Sequence, residues 1–211
     1  MKLHTGNLYW PANTEPISLK IDNNIREKSD VLVVGSGMSG ALASYELSKN
    51  GYKVTLIEQN RIASGSTSAN TGLIQYMSDQ GVKKFSEQIG IENAVKFYNQ
   101  SKEAVSDLSA IEKDLFVINQ KNFKKSDSLI LATDKKKIDD VKDETKMQKE
   151  IGYDVNYVDR QELESYNISA YGGLKCGPDI SLNPYNFVLR LLKTSCENYD
   201  LQIVEGVRFI E

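Results

Sequence analysis

Histidine is almost missing from this sequence: His4 is the only one in 211 residues. A Ser–His–Asp triad or a multi-histidine metal site therefore has almost no raw material. Cysteine is nearly as scarce. Cys176 and Cys196 lie far apart and form no CxxC pair, which argues against a disulfide framework or zinc site and for reduced, cytoplasmic thiols. No apolar run approaches the roughly 20 residues that span a bilayer. Met1 to Pro16 is polar and lacks the apolar core of an export signal. The net charge of -3 gives no electrostatic case for binding nucleic acid or an anionic membrane. The expectation is a cytoplasmic protein, without a metal site, whose chemistry comes mainly from a bound cofactor.

Glycine, by contrast, is concentrated where it carries meaning. Asp30-Val-Leu-Val-Val-Gly-Ser-Gly-Met-Ser-Gly40 is an apolar run that meets glycines at 35, 37 and 40. Val31 to Val34 reads as a parallel strand buried on both faces. Met38, Ala41, Leu42 and Tyr45 then follow helical spacing, and Gly51 stands where a helix-ending glycine is expected. Gly35 permits the turn off the strand, Gly37 lets a diphosphate approach bare backbone, and Gly40 allows close helix–sheet packing. The helix start at Met38 and Ser39 offers unpaired N–H groups and partial positive charge to phosphates. Lys53 to Glu58 reads as the second strand. Glu58 ends it at the spacing where an acid accepts hydrogen bonds from an adenosine ribose. A plain βαβ unit with a surface glutamate is the competing reading, disfavoured because strand, glycines, helix and acid coincide.

Residues 61 to 74 form a loop rich in small hydroxyl residues and glycine. Such residues mark connections generally. This one leaves the acidic strand end, where hydroxyls and free N–H groups suit phosphate contact. Further on, Val82, Phe85 and Ile89 share a helical face, and a longer helix runs through Val95, Tyr98, Val105, Leu108 and Ile111. Asp127 to Thr133 reads as a strand, and Asp134 caps a charged helix. Val155 to Val158 is a short strand, and Asp159 with Glu162 matches a capping box. Gly172 to Leu174 suggests another strand. Asn183 and Pro184 fit an N-cap and first helical position. Leu201 to Val204 and Val207 to Ile210 read as a strand or strand pair around Gly206. The N-terminal 29 residues look like an extended arm, with Leu8-Tyr-Trp-Pro11 packing on the domain surface.

Three of these pieces carry a family resemblance: Val31 to Gly40, Val54 to Glu58, and Ala63-Ser-Gly-Ser-Thr-Ser-Ala-Asn-Thr-Gly-Leu-Ile74. Together they resemble the FAD-dependent oxidoreductases of the D-amino acid oxidase family, the third piece being similar to the family's second flavin loop. That loop favours FAD over NAD. Weaker similarity continues through Ser128 to Asp134, Leu182 to Pro184 and Val204 to Val207. The resemblance implies an α/β fold: a Rossmann-like FAD/NAD(P)-binding domain with part of an α+β substrate domain. The expected division is an arm over 1–29, FAD-binding parts over 30–120 and 181–211, and a partial substrate domain over 121–180.

The implied cofactor contacts are Gly35, Gly37, Met38, Ser39 and Gly40 at the pyrophosphate, and Glu58 and Gln59 at the adenosine. Ser66, Thr67, Asn70, Thr71, Gly72 and Leu73 would run along the phosphates toward the ring, and Val207 would meet the adenine through its backbone. Some relatives attach flavin through a histidine where Ala69 stands here, so the FAD is expected to be non-covalent. The implied reaction is oxidation of an amine or amino acid by hydride transfer to flavin N5. No catalytic residue is identified; Tyr185 and Arg190 are polar candidates by chemistry only. The family's chains are longer, so a missing C-terminal half is an implied partner. Two alternatives stay open: a non-catalytic FAD- or nucleotide-binding fragment of a split or truncated gene, and an NAD(P)-binding Rossmann module.

Overall fold

The computed structural model describes residues 6–115 and 123–210. The chain divides into two compact units. One comprises residues 1–72, 114–122 and 182–211; the other comprises 73–113 and 123–181.

The first unit is built on a three-stranded parallel sheet in the order β1 (Val31–Val34), β2 (Val54–Glu58), β7 (Leu201–Glu205). Helices α2 (Met38–Lys49) and α7 (Pro184–Asn198) pack on each other, and α2 lies against the strands. Central β2 buries Val54, Thr55, Leu56 and Ile57, as a strand covered on both faces should. The α2 face expected from the sequence is present, with Ala41 and Tyr45 fully buried. Gly51 follows the helix at φ +87°, the left-handed conformation that glycine adopts without a Cβ clash. Asn183 caps α7 by accepting from the Asn186 N–H at 3.0 Å, with Pro184 in the first turn.

Three expectations are corrected. β1 is not buried on both faces: it is an edge strand of this sheet, and Leu32 and Val34 are 47 % and 55 % exposed. After β7, Val207 to Ile210 forms no second strand; Gly206 turns the chain at φ +73° and Phe209 and Ile210 are exposed. The arm does lie on this unit. Its Asp22 N–H donates to the Ile203 carbonyl at 2.8 Å, and Arg26 pairs with Asp200 at 2.5 Å, so the arm follows the outer side of β7. Its Tyr9–Ala12 segment, expected as extended, is a single helical turn, α1.

The second unit holds a sheet in the order β3 (Leu73–Ile74), β6 (Gly172–Leu182), β4 (Phe123–Leu131), with β5 (Asn156–Asp159) also pairing with β6. Leu182, the last residue of β6, falls in the first unit. Helices α3 (Gly81–Ile89), α4 (Ile91–Asp114, its last residue falling in the first unit), α5 (Ile138–Glu150) and α6 (Arg160–Ser165) complete it. One core cluster joins Val158, Leu163 and Ala170 to Leu129, Leu131 and Ile168. Asp159 accepts from the Glu162 N–H at 2.9 Å, the half of the expected capping box that starts α6. Asp134 caps a short 3-10 turn, Lys135–Lys137, that leads into α5; those lysines are exposed. A second anchor is Asp179, 2 % exposed, which accepts from the Tyr76 N–H at 3.1 Å and the Ser128 hydroxyl at 2.5 Å.

Candidate functional site: a dinucleotide cradle

The glycine turn of the first unit is built as its sequence requires. Gly35 sits at φ +93°, where only glycine is at ease, and carries the chain off β1. Gly37 is the N-cap of α2 and has no side chain to fill that role. The amides of Ser39 and Gly40 in the first helical turn are therefore left for an incoming acceptor, and the helix end adds partial positive charge. A Cβ built on Gly40 would land on the Gly35 carbonyl, with Val33 Cγ1 at 3.5 Å. The helix thus starts so close to the strand that only glycine fits. Gly40→Ala should push the turn outward, lower stability by about 1–3 kcal/mol as overpacking does, and weaken nucleotide binding. Chemical denaturation and a ligand titration of the same variant check both effects.

Glu58, at the end of β2, faces this turn. Its Oε2 accepts from the Ser36 N–H at 2.9 Å and the Ser36 hydroxyl at 2.7 Å, and its Oε1 accepts from the Asn60 N–H at 2.8 Å. Burial pushes the Glu58 carboxyl upward, but hydrogen bonds from Asn60, Ser36 and Gln59 outweigh it and hold the pKa below the ordinary value. An ionised carboxylate offers about four acceptor positions. Both Ser36 bonds fall on Oε2, whereas Oε1 accepts from the Asn60 N–H.

The loop after β2 returns to the same place. Thr67 Oγ1 accepts from the Met38 N–H at 3.1 Å, and a Cβ on Gly37 would stand 3.3 Å from that oxygen. The Ser36 hydroxyl, which donates to Glu58, accepts from the Ala63 N–H at 3.2 Å. Strand-end acid, glycine turn and hydroxyl loop are therefore one hydrogen-bonded assembly. Ser66–Ser68 forms a 3-10 turn with Thr67 and Ser68 buried. Asn70 Oδ1 accepts from the Gly72 N–H at 2.8 Å, and Gly72 turns at φ +70°.

Gly35, Gly37, Met38, Ser39, Gly40, Glu58, Thr67, Asn70 and Gly72 all belong to this first unit. So do the exposed Gln59, Ser66 and Thr71. Val207 lies beside Glu58, donating its N–H to the Glu58 carbonyl at 3.0 Å. Leu73 belongs to the second unit, where it opens β3 opposite Ser181 and is 58 % exposed. Of the two polar candidates on α7, Arg190 is buried at 2 % exposure. Tyr185 lines a cleft of about 420 Å³ with arm residues, Arg61 and Glu205. Sequence reading passed over Ser36, the residue that links Glu58 to the loop. A serine between two motif glycines was the available signal.

The match to known proteins covers the cradle and continues to the end of the chain. Residues 30–211 match the model of the DAO family, described as FAD dependent oxidoreductase. The chain belongs to this family of FAD-dependent oxidoreductases. Among curated relatives, a probable oxidoreductase OrdL of Haemophilus influenzae is 28 % identical over 206 residues, covering 96 % of this chain and 47 % of that protein. Among solved structures, the L-alpha-glycerophosphate oxidase of Mycoplasma pneumoniae, with FAD bound, superposes with a TM-score of 0.62 at 24 % identity. That match covers 86 % of this chain and 45 % of the oxidase. The L-amino acid deaminase of Proteus myxofaciens gives a TM-score of 0.70 at 16 % identity, over 90 % of this chain and 41 % of that one. These likenesses establish the fold, an α/β architecture with a Rossmann-like nucleotide-binding part. The chain spans about half the length of the relatives it matches.

Both cysteines are free, and burial pushes each thiol up to about 11, so neither is poised as a nucleophile near neutral pH. Among the described residues no group of acidic, histidine or cysteine side chains could hold a metal, and no helix is long and apolar enough to cross a membrane.

Proposed function

We propose that this chain is the FAD-binding portion of a cytoplasmic flavoenzyme that oxidises an amine or amino acid, with the cofactor held non-covalently. The single observation that carries the reading is the joined assembly of Glu58, Ser36, Met38 and Thr67. It supplies a sugar acceptor, a bare-backbone turn and a hydroxyl loop in one place, as the residues of a dinucleotide cradle must. The loop from Ala63 to Gly72 is what favours FAD over NAD(P).

Each residue has a stated task. Gly35 and Gly37 admit the diphosphate, because neither places a Cβ over the turn. The Ser39 and Gly40 amides donate to its oxygens. The Glu58 carboxylate takes a ribose hydroxyl on Oε1, with Gln59 and the Val207 backbone bordering the adenosine. Ser66, Asn70, Thr71, Gly72 and Leu73 guide the remainder toward the ring. When bound, FAD supplies a two-electron acceptor for the hydride on the carbon beside the amine nitrogen, and the imine left behind hydrolyses in water. Ala69 gives the loop no histidine through which to attach the flavin.

The substrate is proposed as a small amine or amino acid. Glycine oxidases and L-amino acid deaminases are among the structures this fold resembles. Among the described residues nothing pairs with the outer edge of β1, which supports a further reading: a segment supplied by a C-terminal half adds a strand there. Turnover is then a property of the completed enzyme, and the 211-residue chain alone is a binding fragment.

The visible spectrum of the purified chain after incubation with FAD is the first test. A flavin band that survives gel filtration and is released intact by denaturation supports non-covalent binding; a colourless protein that no FAD concentration reconstitutes removes the proposal. Amino acids, glycine, sarcosine and glycerol phosphate, offered with an artificial electron acceptor to the chain joined to a C-terminal half, then separate the substrate classes. Reduction by glycerol phosphate alone would overturn the amine assignment.

A further inference from the structure

Trp10 lies well before the glycine turn, yet it touches the flavin loop. Its indole Nε1–H donates to the Asn70 carbonyl at 2.7 Å. Its ring edge also stands over Gly72: a Cβ there would meet Trp10 Cζ2 at 2.9 Å, besides the Leu182 carbonyl and Pro184 Cδ at 3.3 Å. Gly72 is thus glycine for two reasons, a φ of +70° and a tryptophan occupying the space beside it.

The tryptophan is itself tied down. Its own carbonyl accepts from the Thr14 hydroxyl at 2.8 Å, and Thr14 Oγ1 accepts from Asn183 Nδ2 at 2.9 Å. Asn183 is the N-cap of α7, and the adjacent Leu182 N–H donates to the Gly72 carbonyl at 2.8 Å. The loop from Asn70 to Gly72 is therefore held from two sides, by the arm and by the start of α7. Tyr9 backs the arrangement with its ring edge-on to Trp10 at 4.9 Å.

We infer that Trp10 is a positioning residue for the cofactor: the arm clamps the Asn70–Gly72 segment in the conformation that meets bound FAD. This rests on the FAD reading above and adds to it. A loop rich in serine, threonine and asparagine has many conformations to lose on binding. Fixing its backbone beforehand removes part of that cost, so the gain falls on affinity and on residence time. The indole N–H is the part that matters, because the carbonyl it engages belongs to the loop backbone and not to a side chain that could rotate away.

Trp10 is the one tryptophan of the chain, so its emission reports on the clamp without labelling. In the wild-type chain, FAD addition should quench that emission in step with the rise of bound flavin, while the access of acrylamide to the indole, already set by the clamp, stays the same. Trp10→Phe keeps an aromatic ring and removes the N–H. It should weaken FAD binding about tenfold, the effect of one lost hydrogen bond, through faster dissociation. The visible circular dichroism of bound flavin should change, while the unfolding midpoint of the FAD-free chain falls only by what one part-exposed hydrogen bond is worth. An unchanged dissociation rate and flavin dichroism in Trp10→Phe would overturn the clamp. So would acrylamide access that falls sharply when FAD binds, because the clamp would then form only with the cofactor, a test that needs no variant. A wild-type chain that binds no flavin at all would instead remove the FAD reading itself, and the two failures are told apart by the wild-type titration.

Discussion

Replacing Glu58 with alanine is expected to weaken FAD binding about a hundredfold, the largest loss from any single change in the cradle. Two effects combine. One charge-assisted bond to the sugar disappears, worth about 1.5–3 kcal/mol, or roughly tenfold to a hundredfold in affinity. The Ser36 N–H and hydroxyl also lose their shared acceptor, Oε2. Ser36 is the link to the Ala63 amide, so the loop loosens with it. Glu58→Gln should fall between, because an amide oxygen still accepts but its NH2 group opposes a donor. Flavin fluorescence titration separates the three proteins.

The same carboxylate sets a pH dependence. Its pKa lies below the ordinary value in the folded chain, since the hydrogen bonds from Asn60, Ser36 and Gln59 overcome the upward push of burial. Unfolded chains therefore bind more protons over that interval, and stability rises with pH there. The contribution is fully present above the unfolded glutamate range and is lost as pH falls through the lowered folded value. Acid titration of wild type should show a loss of stability below about pH 4–5 that Glu58→Gln lacks. Identical acid profiles for the two proteins would remove the assignment.

The second large effect belongs to the other unit. Glu144, on α5, caps α3 from outside. Its Oε1 accepts from the Val82 N–H at 2.6 Å and from Gln148 Nε2 at 2.7 Å, and its Oε2 accepts from the Lys83 N–H at 2.9 Å. Gln80, the N-cap of α3, offers no side-chain bond of its own, and Gly81 lies against the Glu144 carboxylate at φ +70°. Glu144→Ala leaves two helix amides and a fully buried glutamine without their acceptor. The expected cost is about 3–4 kcal/mol, from charged hydrogen bonds and a lost cap. It should be read as a lower urea midpoint with an unchanged slope. FAD affinity of the intact chain should stay within about twofold, because Glu144 and the cradle lie in different compact units.

The cradle was legible in the sequence because each of its demands is local. Gly35, Gly37 and Gly40 are fixed by one turn, and Glu58 by the strand that pairs with β1. The caps at Asp159 and Asn183 were legible for the same reason, since cap and capped amide lie three residues apart. What could not be read depends on partners distant in sequence. Trp10 meets Asn70 across 60 residues, and Glu144 meets Val82 across 62. The exposed face of β1 also escaped. An apolar tetrapeptide reads the same at a sheet edge as at its centre, and only the strand order tells them apart. Likewise α3 and α4 follow the nucleotide-binding segment in the chain but pack in the second unit.

The naked side of β1 has a practical bearing on every measurement above. Among the described residues no strand pairs with the outer side of β1, and such an edge, with Leu32 and Val34 exposed, is a template for another copy of itself. Light scattering from the isolated chain should then climb with concentration, and a ligand affinity measured at one dilution would differ from that at another. Extrapolation to infinite dilution, or a capping peptide on that strand, would recover the intrinsic constant.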